Sequence, residues 1–231
     1  MRSTTACPPP CGSGPRSLTT RQGNAVTADL FVLRRSPLAG QLPVGNPASV
    51  QLREVVWQTL IELQVGTGQD GGGSPTGPVE AALGFRLPTS GRTSDKEGRL
   101  AIWLGPGWWL LDAPAADGPG RGDLEAPLVQ ELRAVGGPVS AVDVSAGFAV
   151  LELSGPDAPA VLAHGCSIDL HPRVFGPGRA ARTMLAKAQV VLAQTDGGAT
   201  GSAPTYRIWV RSSFARYLTA WLLDAAIEYL S

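Results

Sequence analysis

The sequence predicts an α+β protein built from antiparallel sheets with few helices, and three observations carry that expectation. Residues 57–65, WQTLIELQV, alternate apolar and polar side chains with the period of two that a strand shows. Residues 100–111, LAIWLGPGWWLL, are two apolar runs reversed around Gly105-Pro106-Gly107, as in a hairpin between antiparallel strands. Long helical periodicity is confined to residues 123–135 and 212–230.

Each element follows in order. Residues 1–27 are polar, Pro/Gly-rich and aperiodic, which predicts a disordered tail. The ordered domain is expected over 28–231, as two half-domains of roughly 28–138 and 139–231. It starts near Asp29 with LFVL, followed by a turn at Ala39-Gly40. In the strand over 57–65, Trp57, Thr59, Ile61, Leu63 and Val65 share one face and Gln58, Glu62 and Gln64 the other, the pattern of a half-buried strand. Residues 66–78 and 113–122 read as loops. Asp123 caps a helix with Leu124, Leu128, Leu132 and Val135 on one face, stopped by Gly136-Gly137.

The second half reads β-α-β-β-β-α, opening with the strands VSAVDVS and GFAVLELS. A short helix has Pro156 in its first turn and Gly165 as its stop. Two strands lie around 181–193, and 195–204 is a hairpin excursion. In TYRIWVR, Tyr206, Ile208 and Val210 alternate against Arg207, Trp209 and Arg211. The last helix is capped by Ser212 or Ser213, with Phe214, Leu218, Trp221, Leu222, Ala225 and Tyr229 as its apolar stripe.

The chain balances 19 basic against 19 acidic residues, and charged residues make up 16% of it. A typical soluble domain has about a quarter. This composition carries no electrostatic footprint for nucleic acid or an anionic membrane, and low charge suits a buried partner surface. No apolar run approaches the ~20 residues of a membrane span, and the N-terminus has no secretory core, so a cytoplasmic location is expected. Cys7, Cys11 and Cys166 are too few, and odd in number, for a disulfide framework.

Candidate chemistry is sparse. His164, Cys166, Asp169 and His171 fall together in HGCSIDLH, where zinc ligation or a Cys–His nucleophile is conceivable. Too few ligands are present for a closed tetrahedral site. His164 suits a helix C-terminus and Cys166 a small buried hydrophobe. Residues 118–123, GPGRGD, mimic a dinucleotide loop, but Asp123 replaces its third glycine and would repel a pyrophosphate. The tryptophans at 57, 103, 108, 109, 209 and 221 read as core. Trp108 and Trp109 are adjacent on a strand, so they point to opposite faces and one of them reaches a second layer or a partner. Arg173, Arg179, Arg182 and Lys187 form a basic strip, a solvated face that could also take an anion or an acidic partner. No residue is assigned as catalytic, cofactor-binding or metal-ligating. Trp108, Trp109, His164, Cys166, His171 and Arg182 are the candidate interface or weak ligand contacts.

LSGPDAPAVLAHGCSIDLHPRVFGPGRAARTMLAKAQVVL (153–192) carries a resemblance. With it go SPLAG (36–40), WLGPGWWLL (103–111), VDVS (142–145) and VRSSFARYLTAWLLDAAIEY (210–229). Together these resemble the sarcosine oxidase gamma subunit family over roughly residues 29–231. The resemblance implies two half-domains of the folate-binding aminomethyltransferase fold. It implies a chain without a cofactor, in a heterotetramer that oxidises sarcosine or a relative such as dimethylglycine. FAD, FMN, NAD and tetrahydrofolate would sit in the partner subunits, and the chain would contact alpha, with beta and delta completing the complex. Aminomethyltransferases carry an acid after an L-x-x-x-G turn to meet the folate amine, whereas residues 185–190, LAKAQV, contain none. Ala146-Gly147 replaces a bulkier polar pair, and residues 1–27, 66–78 and 196–204 have no family counterpart. Two rivals stand beside this reading. One is a free-standing folate-dependent aminomethyl (one-carbon) transferase or folate-binding protein, recruiting Asp143, Glu152 or Asp169. The other is a zinc module built on HGCSIDLH.

Overall fold

Alternation of apolar side chains on both faces of nearly every central strand sets the architecture. In the computed structural model β1 (Val44–Gly45), β2 (Gln51–Glu54), β8 (Phe148–Ser154), β9 (Ala180–Leu185), β10 (Ala188–Asp196) and β11 (Thr205–Arg211) form one sheet. Its order is β1-β2-β8-β11-β10-β9. The second sheet, ordered β4-β5-β6-β3-β7, holds β3 (Gln58–Val65), β4 (Thr93–Lys96), β5 (Arg99–Gly105), β6 (Trp108–Pro114) and β7 (Val139–Asp143). The neighbouring strands run antiparallel throughout. Four helices are described: α1 (Thr76–Leu83), α2 (Glu125–Ala134), α3 (Ala158–Ala163) and α4 (Ala215–Ala225). The sheet-rich α+β expectation holds in this form.

Three apolar clusters show how the layers stack. The first joins Leu151, Leu192, Tyr206, Ile208 and Val210 of the six-stranded sheet to Val161 and Leu162 of α3 and Leu218 and Leu222 of α4. The second joins Ile61, Leu63, Trp109 and Leu111 of the five-stranded sheet to Val79 and Leu83 of α1 and Val129 and Leu132 of α2. The third contains no helical residue: Leu60, Ile102 and Leu110 meet Val150, Val191 and Trp209, so the two sheets face each other. The order is helix, sheet, sheet, helix. Burying a Leu or Val side chain contributes about 1.5–3 kcal/mol, and each sheet gains this on two faces. The sheets exchange strands at their borders. β1 and β2 join β8, while β7 joins β3.

The structure describes residues 35–66, 76–114, 125–135, 137–196 and 203–230, within a compact unit spanning Phe31–Ser231. The N-terminal tail, LFVL, the Gly-rich segment before Thr76, the GPGRGD sequence with its Asp123 cap and Leu124, Gly136, and the tip of the 195–204 excursion lie outside the described residues, as does the side chain of Leu128.

Several local expectations are corrected. The polar face of β3 is covered in part: Leu60 on it is 1% exposed, packed in the cluster between the sheets with Trp209 of β11 at 0%, while Gln64 stays exposed. Trp57 does not continue the β3 pattern; it has φ 62° and precedes the strand. Residues 76–78 are not loop but the first turn of α1, whose Val79 and Leu83 fill the second cluster. α3 begins after Asp157, so Pro159, not Pro156, occupies the first turn. Gly165 does not take the left-handed stop conformation. A Cβ there would lie 2.5 Å from Trp221 Cη2, so its role is close approach. No serine side chain caps α4, which follows a 3-10 turn, Ser212–Phe214; the Ser212 hydroxyl donates instead to the Ala146 carbonyl at 3.0 Å. Phe214 leaves the stripe at 44% exposure and meets the Tyr217 ring edge-on.

Candidate functional site

The adjacent tryptophans of β6 separate as the strand pleat requires. Trp109 enters the cluster under α1 and α2, where its indole N–H donates to the Pro88 carbonyl at 2.9 Å. Trp108 faces the other sheet, and the Arg182 guanidinium lies 4.5 Å from its ring centroid. Such a cation–π contact contributes about 0.5–1 kcal/mol at an exposed site. Nearby the Arg211 guanidinium covers the Phe148 ring, also at 4.5 Å. Trp108, Arg182, Phe148 and Arg211 line one crevice of about 60 Å³ between the sheets, together with Glu62 and Gln189. Trp108 Nε1 is buried and has no acceptor among the described residues.

HGCSIDLH lies elsewhere and satisfies itself locally. His164 ends α3, with its Nδ1 2.9 Å from the Ala160 carbonyl. Cys166 is partly buried, packs on the first cluster and pairs its backbone with Leu185. Asp169 Oδ1 accepts the His171 amide at 2.9 Å, and His171 Nδ1 accepts the Arg173 amide at 3.2 Å. These are turn-forming hydrogen bonds. Among the described residues, no group of three or more His, Cys, Asp and Glu is placed to hold a metal. Of the six candidate contacts, the structure therefore unites Trp108 and Arg182 and separates them from Trp109, His164, Cys166 and His171. The basic strip also disperses. Arg182 lies on β9, whereas Lys187 sits in the β9–β10 turn and its amide donates to Tyr217 Oη at 3.2 Å.

A charged array that the sequence patterns do not assemble runs from the surface at Arg53 into the sandwich at Asp112. Arg53, Glu152 and Arg207 are register neighbours across β2, β8 and β11. Glu152 Oε1 accepts Arg53 Nε at 2.6 Å, and Arg207 Nη2 lies 3.4 Å from Glu152 Oε2. Arg207 Nη1 reaches Asp112 Oδ2 of the opposite sheet at 3.2 Å, and that oxygen also accepts Trp209 Nε1 at 3.0 Å. Burial lifts the Asp112 carboxyl above the usual carboxylate range, against the opposing pull of the Arg207 charge and the two hydrogen bonds. The available signal was an acid interrupting the apolar run LLDAP and an arginine mid-strand in TYRIWVR.

A face-to-face pair of antiparallel sheets with outer helices, holding a cation-flanked crevice and a salt-bridge array, defines an α+β sandwich. Comparison with known proteins narrows that class. The sarcosine oxidase, gamma subunit family model matches residues 70–228. The sarcosine oxidase subunit gamma of an Arthrobacter species is 39% identical over 205 residues, covering 86% of this chain and 93% of the relative. That of Corynebacterium sp. strain U-96 is 36% identical over 215 residues, covering 89% and 96%. A chain in the solved heterotetrameric sarcosine oxidase from Corynebacterium sp. U-96, in complex with pyrrole 2-carboxylate, superposes with TM-score 0.71 at 34% identity. The match covers 86% of this chain and 97% of that one. The chain belongs to the sarcosine oxidase gamma subunit family.

Proposed function

We propose that this chain is the non-catalytic gamma subunit of a heterotetrameric sarcosine oxidase that oxidatively demethylates sarcosine to glycine. It docks on alpha, with beta and delta completing the assembly. The observation that supports this most is the near-complete coverage, 97%, of a chain taken from such a complex. In this reading FAD, FMN, NAD and tetrahydrofolate belong to the partner subunits, the complex is cytoplasmic, and residues 28–231 are two half-domains of the folate-binding aminomethyltransferase type.

The site residues fit a docking role. Arg182 is exposed and half-buried Trp108 supports it from below, residue types enriched at interfaces, whereas HGCSIDLH shapes the turn after α3. Co-expression with the large subunits tests the proposal. The expected result is co-elution in a fixed ratio and loss of assembled sarcosine oxidase when this chain is omitted. An alpha subunit that assembles with beta and delta and turns over at full rate without it rejects the proposal.

A further inference from the structure

The geometry points to a carboxylate-recognition site in the crevice between the two sheets, built from Arg182 and Arg211 beside the Trp108 and Phe148 rings. Register places its cations on one face. Arg182 is opposite Val191, which is opposite Trp209, and Arg211 stands two residues beyond Trp209 on β11. Their Cα atoms are therefore roughly 12 Å apart, two strand spacings across and two residues along. Two arginine side chains can close that span onto one small anion.

Each guanidinium lies over a ring, Trp108 or Phe148, with Cζ 4.5 Å from the centroid, which limits the freedom lost when it captures a ligand. Neither arginine has an ion-pair partner among the described residues. The Trp108 ring under Arg182 makes its indole N–H, buried and without an acceptor among the described residues, a reporter of what happens at that guanidinium.

The crevice selects the ligand class. Its remaining wall includes Val191 and Trp209, so the ligand brings a short apolar stem. Glu62 also lines it, and two arginines less one glutamate leave a formal charge of +1, which a monoanion neutralises. The planar guanidinium fork matches a carboxylate in two-point contact. A free small carboxylic acid and an Asp or Glu side chain of a partner subunit both offer that chemistry.

The test uses propionate as the probe and the Trp108 indole N–H resonance of the full-length chain as the readout, assigned with Trp108→Phe. The expected result is a saturable shift that sodium chloride at equal ionic strength does not produce. Arg182→Gln and Arg211→Gln should each weaken it by about tenfold or more, and Arg182→Lys, which keeps the charge, by less. Absence of a saturable shift overturns the proposal, as does inorganic phosphate binding in preference to propionate. Repeating the titration in the assembled complex separates the sources. A retained shift assigns the site to a free carboxylate. A shift lost on assembly, with Arg182→Gln and Arg211→Gln loosening the complex, assigns it to a partner's carboxylate. If these variants neither weaken propionate binding nor loosen the complex, the arginine assignment fails.

Discussion

Trp209 donates its indole N–H to Asp112 Oδ2 at 3.0 Å across the gap between the two sheets, with Trp209 0% and Asp112 1% exposed. A carboxylate in that position is tolerated because Arg207 approaches the same oxygen, and Glu152 and Arg53 extend the array outwards. Truncating Asp112 leaves the buried Trp209 N–H without its acceptor, which costs about 1–3 kcal/mol, while Arg207 keeps its partner Glu152. Asp112→Ala is accordingly expected to lower unfolding free energy by that amount in urea titration. Asp112→Asn keeps an acceptor for Trp209 and should stay within about 1 kcal/mol of wild type.

The same carboxyl sets a pH dependence. Its folded pKa lies above the unfolded value of about 3.9, with burial as the leading cause. The stability it contributes is fully present below that unfolded value and is lost as pH rises through the folded one. Wild type should therefore gain stability relative to Asp112→Asn as pH falls from 7 towards 4. Parallel urea midpoints for the two proteins across that range contradict the assignment.

Tyr206 is 1% exposed, stacked on Phe175 at 6.4 Å, and burial pushes its hydroxyl up to about 12. The neutral phenol is favoured in the folded chain, so its contribution is present below about pH 10 and lost as pH rises to 12. The expected loss is about 2–3 kcal/mol over that interval. Tyr206→Phe should flatten this part of the alkaline unfolding curve, read by circular dichroism.

Gly165→Ala forces a methyl to within 2.5 Å of Trp221 Cη2 and 3.1 Å of the Ala186 amide. Overpacking of this kind costs about 1–3 kcal/mol. In a Trp221→Leu background most of that penalty should disappear, whereas a purely backbone effect at Gly165 would leave it unchanged.

Amino-acid order alone determined strands over 57–65, 100–111, 139–145, 147–154, around 181–193 and over 205–211, and the closing helix, because period-two and period-3.6 patterns are local properties of the chain. It also determined that Trp108 and Trp109 diverge, a consequence of the pleat at one pair of residues. Short α1 was hidden by its Gly/Pro-rich flank, and the burial of Leu60 and Trp209 by the polar residues that share their faces. What only the tertiary structure decided depends on residues distant in sequence. Asp112 meets Arg207 and Trp209, Trp108 meets Arg182, and Gly165 makes room for Trp221 only after two sheets stack and α4 packs beside α3. A periodic pattern shows which side of a strand is apolar; the partner across the gap is set by packing, and packing is a property of the whole fold.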